Sequence, residues 1–188
     1  MMRIVFSSYR PTAPMKILSR ILVILCLSGA TLAVRAAEPQ TLAIGQALRE
    51  ATLAGLNGPD KALTSFKGKP LIINMWASWC GPCRAEMASL ERLAWRSSPT
   101  RFAIIGISTD DYVDQAKALL NNSHATISQF IDTKLQMETM LGATHLPLTV
   151  LIGADGRIRE KVYGAREWDS PESLRLIDKA FGREKREN

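Results

Sequence analysis

Two runs of the chain, residues 71–77 and 148–152, are almost unbrokenly apolar, and 102–108 is nearly so. A strand with one wet face alternates, so such runs predict strands inside a sheet covered on both sides. Between the first two, helical spacing holds from about Gly81 to Arg96 and stops at Ser97-Ser98-Pro99. Thr109-Asp110-Asp111 can cap a second helix whose Tyr112, Ala116, Leu119 and Leu120 share one face. Residues 134–141 fit a short helix stopped by Gly142. Asp155-Gly156 turns the chain into 158–163, whose alternation marks an edge strand. Ser170-Pro171 opens a last helix with Leu174, Ile177 and Phe181 on one side, closed by Gly182. Upstream, 53–56 and 62–66 are weaker strand candidates around the turn Asn57-Gly58-Pro59. The order predicts an α/β domain in which the first two buried strands, joined by a crossover, are parallel and the late hairpin is antiparallel.

Charge changes the picture only at the N-terminus. The formal net charge of +6 over 188 residues is uneven: residues 1–36 hold Arg3, Arg10, Lys16, Arg20 and Arg35 with no acid, leaving 19 basic against 18 acidic residues in the rest. The basic excess belongs to that segment, so nucleic acid is not an expected partner. Lys16 and Arg20 precede an apolar stretch ending at Val34-Arg35-Ala36, with small residues at the −3 and −1 positions. This order reads as an export signal over 1–36, with Met15 an equally good start as Met1. The stretch is shorter than the ~20 residues of a spanning helix, which favours cleavage; an uncleaved anchor through 17–34 is the alternative. Residues 37–46 read as a linker, 47–182 as the folded domain and 183–188 as a charged tail. The expected destination is the periplasm.

Of the three cysteines, Cys26 lies in the signal, so the exported chain keeps only Cys80 and Cys83, with no structural disulfide. Trp79-Cys80-Gly81-Pro82-Cys83 sits where a buried strand hands over to a helix. A helix N-terminus carries unpaired N–H groups and a partial positive charge, which favour a thiolate, the nucleophile of disulfide exchange. Cys80 would attack, and Cys83, one turn in on the buried face, would resolve the mixed disulfide. Gly81 lets a substrate backbone come close, Pro82 suits a first turn, and Trp79 would shield the pair and offer an apolar rim. Trp76 reads equally as core or site. Half of a zinc site is the rival reading, but His124 and His145 form no local ligand cluster with the pair, and no metal is expected. His145 itself reads as a surface-loop residue. Glu86 falls inside the apolar arc of Cys83, Met87, Leu90, Leu93 and Ala94. A carboxyl there should be desolvated, raised in pKa and fit to move a proton, the alternative being an early-helix acid that favours the macrodipole. Trp168, Met87, Met137 and Met140 are assigned to packing.

Residues 74–87, Asn-Met-Trp-Ala-Ser-Trp-Cys-Gly-Pro-Cys-Arg-Ala-Glu-Met, resemble the thioredoxin superfamily and within it the exported TlpA-, ResA- and CcmG-like thiol–disulfide oxidoreductases. Gly164-Ala165-Arg166-Glu167-Trp168 looks most like the TlpA branch. The resemblance implies a thioredoxin fold: a central mixed β-sheet flanked by helices, with a short N-terminal β extension. It implies a cis peptide at Leu146-Pro147 that offers a backbone edge to the substrate's disulfide segment. Thioredoxin carries a buried Asp where this chain has Asn74; an amide takes no proton, which throws that work onto Glu86, water or the partner. No cofactor is implied beyond the redox-active Cys80–Cys83 disulfide. Gly-Pro between the cysteines matches reducing members of the family. The resemblance then implies client proteins with cysteine pairs, in cytochrome c or cytochrome oxidase assembly, and a DsbD- or CcdA-like membrane electron donor. A disulfide-forming or isomerising enzyme and a copper-binding assembly chaperone would share the same pair.

Overall fold

In the computed structural model, which describes residues 40–97 and 101–182, the apolar run at 71–77 supplies the middle of one sheet. The elements are β1 (Thr52–Gly55), β2 (Lys61–Ala62), a 3₁₀ turn (Leu63–Phe66), β3 (Leu71–Trp76), α1 (Gly81–Arg96), β4 (Ala103–Ser108), α2 (Val113–Ser123), β5 (Ser128–Ile131), α3 (Gln136–Leu141), β6 (Leu148–Ile152), β7 (Ile158–Tyr163) and α4 (Pro171–Phe181). The seven strands lie in the order β2-β1-β5-β4-β3-β6-β7. β3 pairs parallel with β4, and β4 with β5; β6 runs antiparallel to both β3 and β7. This is the mixed sheet of the thioredoxin fold, with β1 and β2 as the N-terminal extension. The segment expected to be an export signal (1–36), the start of the expected linker and the expected charged tail (183–188) lie outside the described residues. Among the described residues no helix is long and apolar enough to cross a membrane.

The period of two in β3 sorts its side chains between two cores. Leu71, Ile73 and Met75 join Ile105, Ile107, Phe130 and Val150 on one face. Ile72 meets Leu90 and Leu93 of α1, Leu151, Trp168 and Ile177 on the other, while Trp76 clusters there with both cysteines, Met87 and Ala116. Asn74 has the parity of Ile72 and Trp76, so the sheet puts a buried amide beneath α1. Its register partners are Thr149 on β6 and Gly106 on β4, and Gly106 pairs with Gln129 on β5. A polar row thus crosses an apolar sheet face. Gly106 leaves the room it needs, since a Cβ there would stand 2.0 Å from Gln129 Oε1.

Four expectations are corrected. β5 has no counterpart in the sequence reading, because its four residues, Ser-Gln-Phe-Ile, are half polar and show no apolar run. The strand expected at 62–66 pairs only through Lys61 and Ala62; Leu63 then drops into the core and the Ser65 hydroxyl donates to the Ala62 carbonyl at 2.7 Å, closing a 3₁₀ turn. Tyr112 is 67 % exposed and stands before the helix, not on its buried face, and the expected cap Asp110 is drawn away to Ser78. The expected linker is docked from Thr41 onward: Leu42 is buried, its N–H donates to the Met140 carbonyl at 2.9 Å, and the Leu42 carbonyl accepts from Lys161 Nζ at 2.6 Å. Leu42→Ala should therefore lower stability by about 2 kcal/mol, read as a fall in the urea midpoint at constant m; an unchanged midpoint would return residues 41–46 to a passive linker.

Candidate active site

The chain leaves β3 and turns directly into α1, with Cys80 as N-cap: its Sγ accepts the Cys83 N–H at 3.2 Å and its carbonyl accepts from Arg84 N at 3.2 Å. Proline in the first turn sacrifices only a donor that would lack a helical acceptor. Cys80 and Cys83 are joined as a disulfide, Cα–Cα 5.3 Å. Cys80 keeps a small exposed surface, 5 %, and Cys83 keeps none. Gly81 and Pro82 are exposed, and an added Cβ at Gly81 would meet nothing within 4 Å, so this side of the site is open. Trp79, expected both to shield the pair and to offer an apolar rim, is 69 % exposed, and the pair is packed among Trp76, Ala77 and Met87. Trp76 proves to be core, fully buried, with its indole N–H donating to Gln129 Oε1 at 3.0 Å.

Asp110, buried at the end of β4, fixes the approach to the cysteines. Its carboxylate accepts from the Ser78 N–H at 2.9 Å, the Ser78 hydroxyl at 2.7 Å and the Ser108 hydroxyl at 2.7 Å. Arg84 adds a bond from Nη1 to the Ser78 carbonyl at 2.9 Å. Opposite, the Leu146-Pro147 peptide is cis, and half-buried Leu146 packs against the cluster that contains both cysteines. The Pro147 carbonyl accepts from Gly164 N at 2.9 Å. His145 is exposed, its ring paired with the Thr144 hydroxyl. Among the described residues, no three His, Cys, Asp or Glu come together in a way that could hold a metal ion.

Glu86 is 1 % exposed, and three N–H groups converge on its carboxyl. Asn74 Nδ2 donates to Oε1 at 2.7 Å, while Arg166 N and Trp168 Nε1 donate to Oε2, each at 3.1 Å. Asn74 spends its other amide hydrogen on Thr149 Oγ1 at 3.0 Å. Burial pushes the Glu86 carboxyl above its ordinary range; the hydrogen bonds from Asn74, Trp168 and Arg166 pull the other way without cancelling it. A carboxylate offers about four lone-pair directions. Three N–H groups leave one free, so a proton can arrive without displacing a donor.

The structure joins Asn74 to Glu86 by a hydrogen bond and Cys80 to Cys83 by a disulfide, with Glu86 one turn along α1 from Cys83; Trp168 and Thr149 carry no signal of a polar role at their own positions in the sequence. Trp168, for which core and surface packing are both open in the sequence, is buried, and its indole N–H is spent on Glu86. A signal existed. Glu86, Ser89, Arg92 and Arg96 form one stripe along α1, and each meets the loop at 166–169. Ser89 Oγ accepts from Trp168 N at 2.9 Å, and Arg92 grips Asp169 through Nε at 2.7 Å and Glu167 through Nη2 at 2.8 Å. Spacing of three and four on one helix, with Arg-Glu-Trp-Asp waiting later in the chain, is a legible match once the two are known to touch.

The AhpC/TSA family model matches residues 44–161. The chain is 33 % identical over 135 residues to the thiol:disulfide interchange protein DsbE of Vibrio cholerae, covering 69 % of this chain and 71 % of that one. It is 28 % identical over 153 residues to the thiol-disulfide oxidoreductase ResA of Bacillus anthracis, covering 79 % and 88 %. Among solved structures, a thiol:disulfide interchange protein of the thioredoxin family from Chlorobium tepidum superposes with a TM-score of 0.63 at 21 % identity, covering 76 % of this chain and all of that one. That last likeness speaks for the fold.

The raised Glu86 carboxyl sets a pH dependence of known sign. A folded-state value above the unfolded one contributes stability that is complete below the unfolded value, ordinarily 4.5, and is lost as pH rises through the folded value. Glu86→Gln has no such loss. In calorimetry of the oxidised protein from about pH 4 to about pH 8, the melting temperature of the variant minus that of the wild type should climb with pH; a flat or falling difference would show that Glu86 ionises at least as easily inside as outside.

Proposed function

This chain belongs to the AhpC/TSA family and is a thiol–disulfide oxidoreductase of the thioredoxin fold, and from that premise we propose that it works as a reductant of particular cysteine pairs in exported client proteins. The observation that carries the reading is the asymmetry of the pair: Cys80 caps a helix with some surface exposed, while Cys83 lies buried one turn along. In the reduced protein the Cys80 thiolate attacks one sulfur of the client disulfide. A Cys80–client bond forms, the client S–S bond breaks, and the departing client sulfur carries off the electron pair. The Cys83 thiol gives its proton to Glu86, and its sulfur attacks Cys80 Sγ, forming the Cys80–Cys83 disulfide and expelling the second client sulfur. Two electrons pass to the client, whose sulfurs take up protons from Glu86 and solvent.

The exposed Trp79 rim and the cis-Pro147 edge offer the client apolar surface and backbone partners, the second in the manner of strand addition. The segment 1–36 supports export to the periplasm, with the domain free after cleavage or held through 17–34. The periplasm is kept oxidising kinetically, and thioredoxin-like and DsbA-like potentials differ by ~150 mV there, so a reductant needs electrons delivered across the membrane. A DsbD- or CcdA-like donor fills that need. Clients that must present free cysteines to a heme or to copper, apocytochrome c or the copper-site proteins of a respiratory oxidase, fit a protein of this class.

Cys83→Ser should trap clients on Cys80 as mixed disulfides recoverable from the cell envelope, while Cys80→Ser traps none. Recovery of no mixed disulfide, together with stoichiometric retention of Cu(I) by the reduced wild type, would overturn reduction in favour of copper delivery. Glu86→Gln should slow resolution of a model mixed disulfide near neutral pH by about tenfold or more; stopped-flow rates with an unaltered pH profile would remove Glu86 from the proton path.

A further inference from the structure

The loop between β7 and α4 touches both halves of the site. Gly164 N donates to the Pro147 carbonyl at 2.9 Å, and two residues later Arg166 N donates to Glu86. From there the loop is stapled along α1: Trp168 N donates to Ser89 Oγ, and Glu167 and Asp169 accept from Arg92. Ser173 Oγ closes it from behind by donating to the Glu167 carbonyl at 2.7 Å. So the indole of Trp168, wholly buried against Ile72, Leu90 and Ile177, has no freedom to turn away from the carboxyl. An aromatic filling this space needs no ring nitrogen for packing. The one polar atom of the indole is aimed at Glu86 Oε2, one turn along α1 from Cys83.

We propose that Trp168 is a positioning residue of the exchange reaction, its indole N–H holding the Glu86 carboxyl in one orientation and fixing how readily that carboxyl accepts the Cys83 proton. The proposal rests on the reading of Glu86 as that acceptor. The hydrogen bond from Trp168 is among those that lower Glu86's proton affinity against the effect of burial, so its loss raises that affinity. Charges elsewhere do not supply the same control. β3 and β6 contribute only the neutral Asn74 and Thr149. On the loop and the helices, Arg92 is paired with Glu167 and Asp169, and Arg166 with Glu172. Cys83 titrates only in the reduced protein, and the oxidised form therefore isolates Glu86.

The test replaces Trp168 site-specifically with 3-benzothienylalanine, which keeps the two-ring shape and puts sulfur in place of the N–H. Trp168→Phe serves as the second variant, and the unaltered protein supplies a third reading. In the oxidised wild type, the Trp168 indole proton resonance should titrate with the same midpoint as the ¹³C-labelled Glu86 carboxyl. In both variants that carboxyl midpoint should rise by about one pH unit. The acid limb of the pH–rate profile for mixed-disulfide resolution should move up with it, and neither change should alter the profile in a Glu86→Gln background. A lowered melting temperature with an unmoved carboxyl midpoint would overturn the proposal and leave Trp168 as packing alone. If the midpoint moves but Glu86→Gln leaves the wild-type rate profile untouched, Trp168 tunes a carboxyl that the reaction does not use; both the proposal and the proton-acceptor reading then fall.

Discussion

A single carboxyl on the apolar side of a helix governs how this domain is put together. Left alone at that depth, Glu86 would be an expensive group, since a buried ionisable side chain without partners is neutralised or expelled. Three donors from two other parts of the chain converge on it: Asn74 from the central strand, and Arg166 N and Trp168 Nε1 from the loop after the last strand. Each donor is itself fixed by something larger. Asn74 is held by strand register and its bond to Thr149; Trp168 by the core and by Ser89. The site is therefore as rigid as the sheet and α1 together, and its acid–base character is set by atoms far apart in sequence.

The thiol end of the site depends on different physics. There the working features are a helix terminus, a sulfur that accepts a backbone N–H, and a loop tied down at Ser78 by Asp110. The electrostatic benefit of the helix end is local and falls off within the first turn. Glu86 lies at the margin of that range and cannot rely on it. This separation lets the two ends be tuned independently: the N-cap favours charge on the attacking sulfur, while burial of Glu86 favours the uncharged acid. The attacking thiol of Cys80 and the buried acid of Glu86 therefore sit in environments that pull their protonation in opposite directions, the condition under which acid and base roles are distinguishable.

How much of this was visible beforehand follows the range of the interactions. Local signals were sufficient for α1, whose bounds agree with the expectation, for the Gly142 stop, for the late hairpin and for the burial of Glu86, because each is decided by spacing within a few residues. β5 was invisible because a four-residue strand with Ser128 and Gln129 in it becomes buried only through neighbours contributed from elsewhere. The cap expected at Thr109-Asp110-Asp111 fails for the same reason: Tyr112 takes the N-cap position, and the Asp110 carboxylate is bound to Ser78, 32 residues away. Trp168 reads as packing because an indole's hydrogen-bond partner leaves no mark at its own position; the mark lies on α1, in the placement of Glu86 and Ser89.

The amide at position 74 completes the logic. An aspartate there would set a second carboxylate 2.7 Å from Glu86 Oε1, and two carboxylates that close cannot both be ionised, so one would have to keep a proton. Titration would then belong to the pair and not to either acid. Asn74 avoids this by donating where an acid could only accept, and its second hydrogen on Thr149 opposes the amide flip that would aim oxygen at oxygen. A single acid with neutral donors around it has one midpoint, set by burial and by the number of N–H groups in place. Removing any one donor should move that midpoint in the same direction. Such a carboxyl can be adjusted in steps by substitutions that never touch the cysteines.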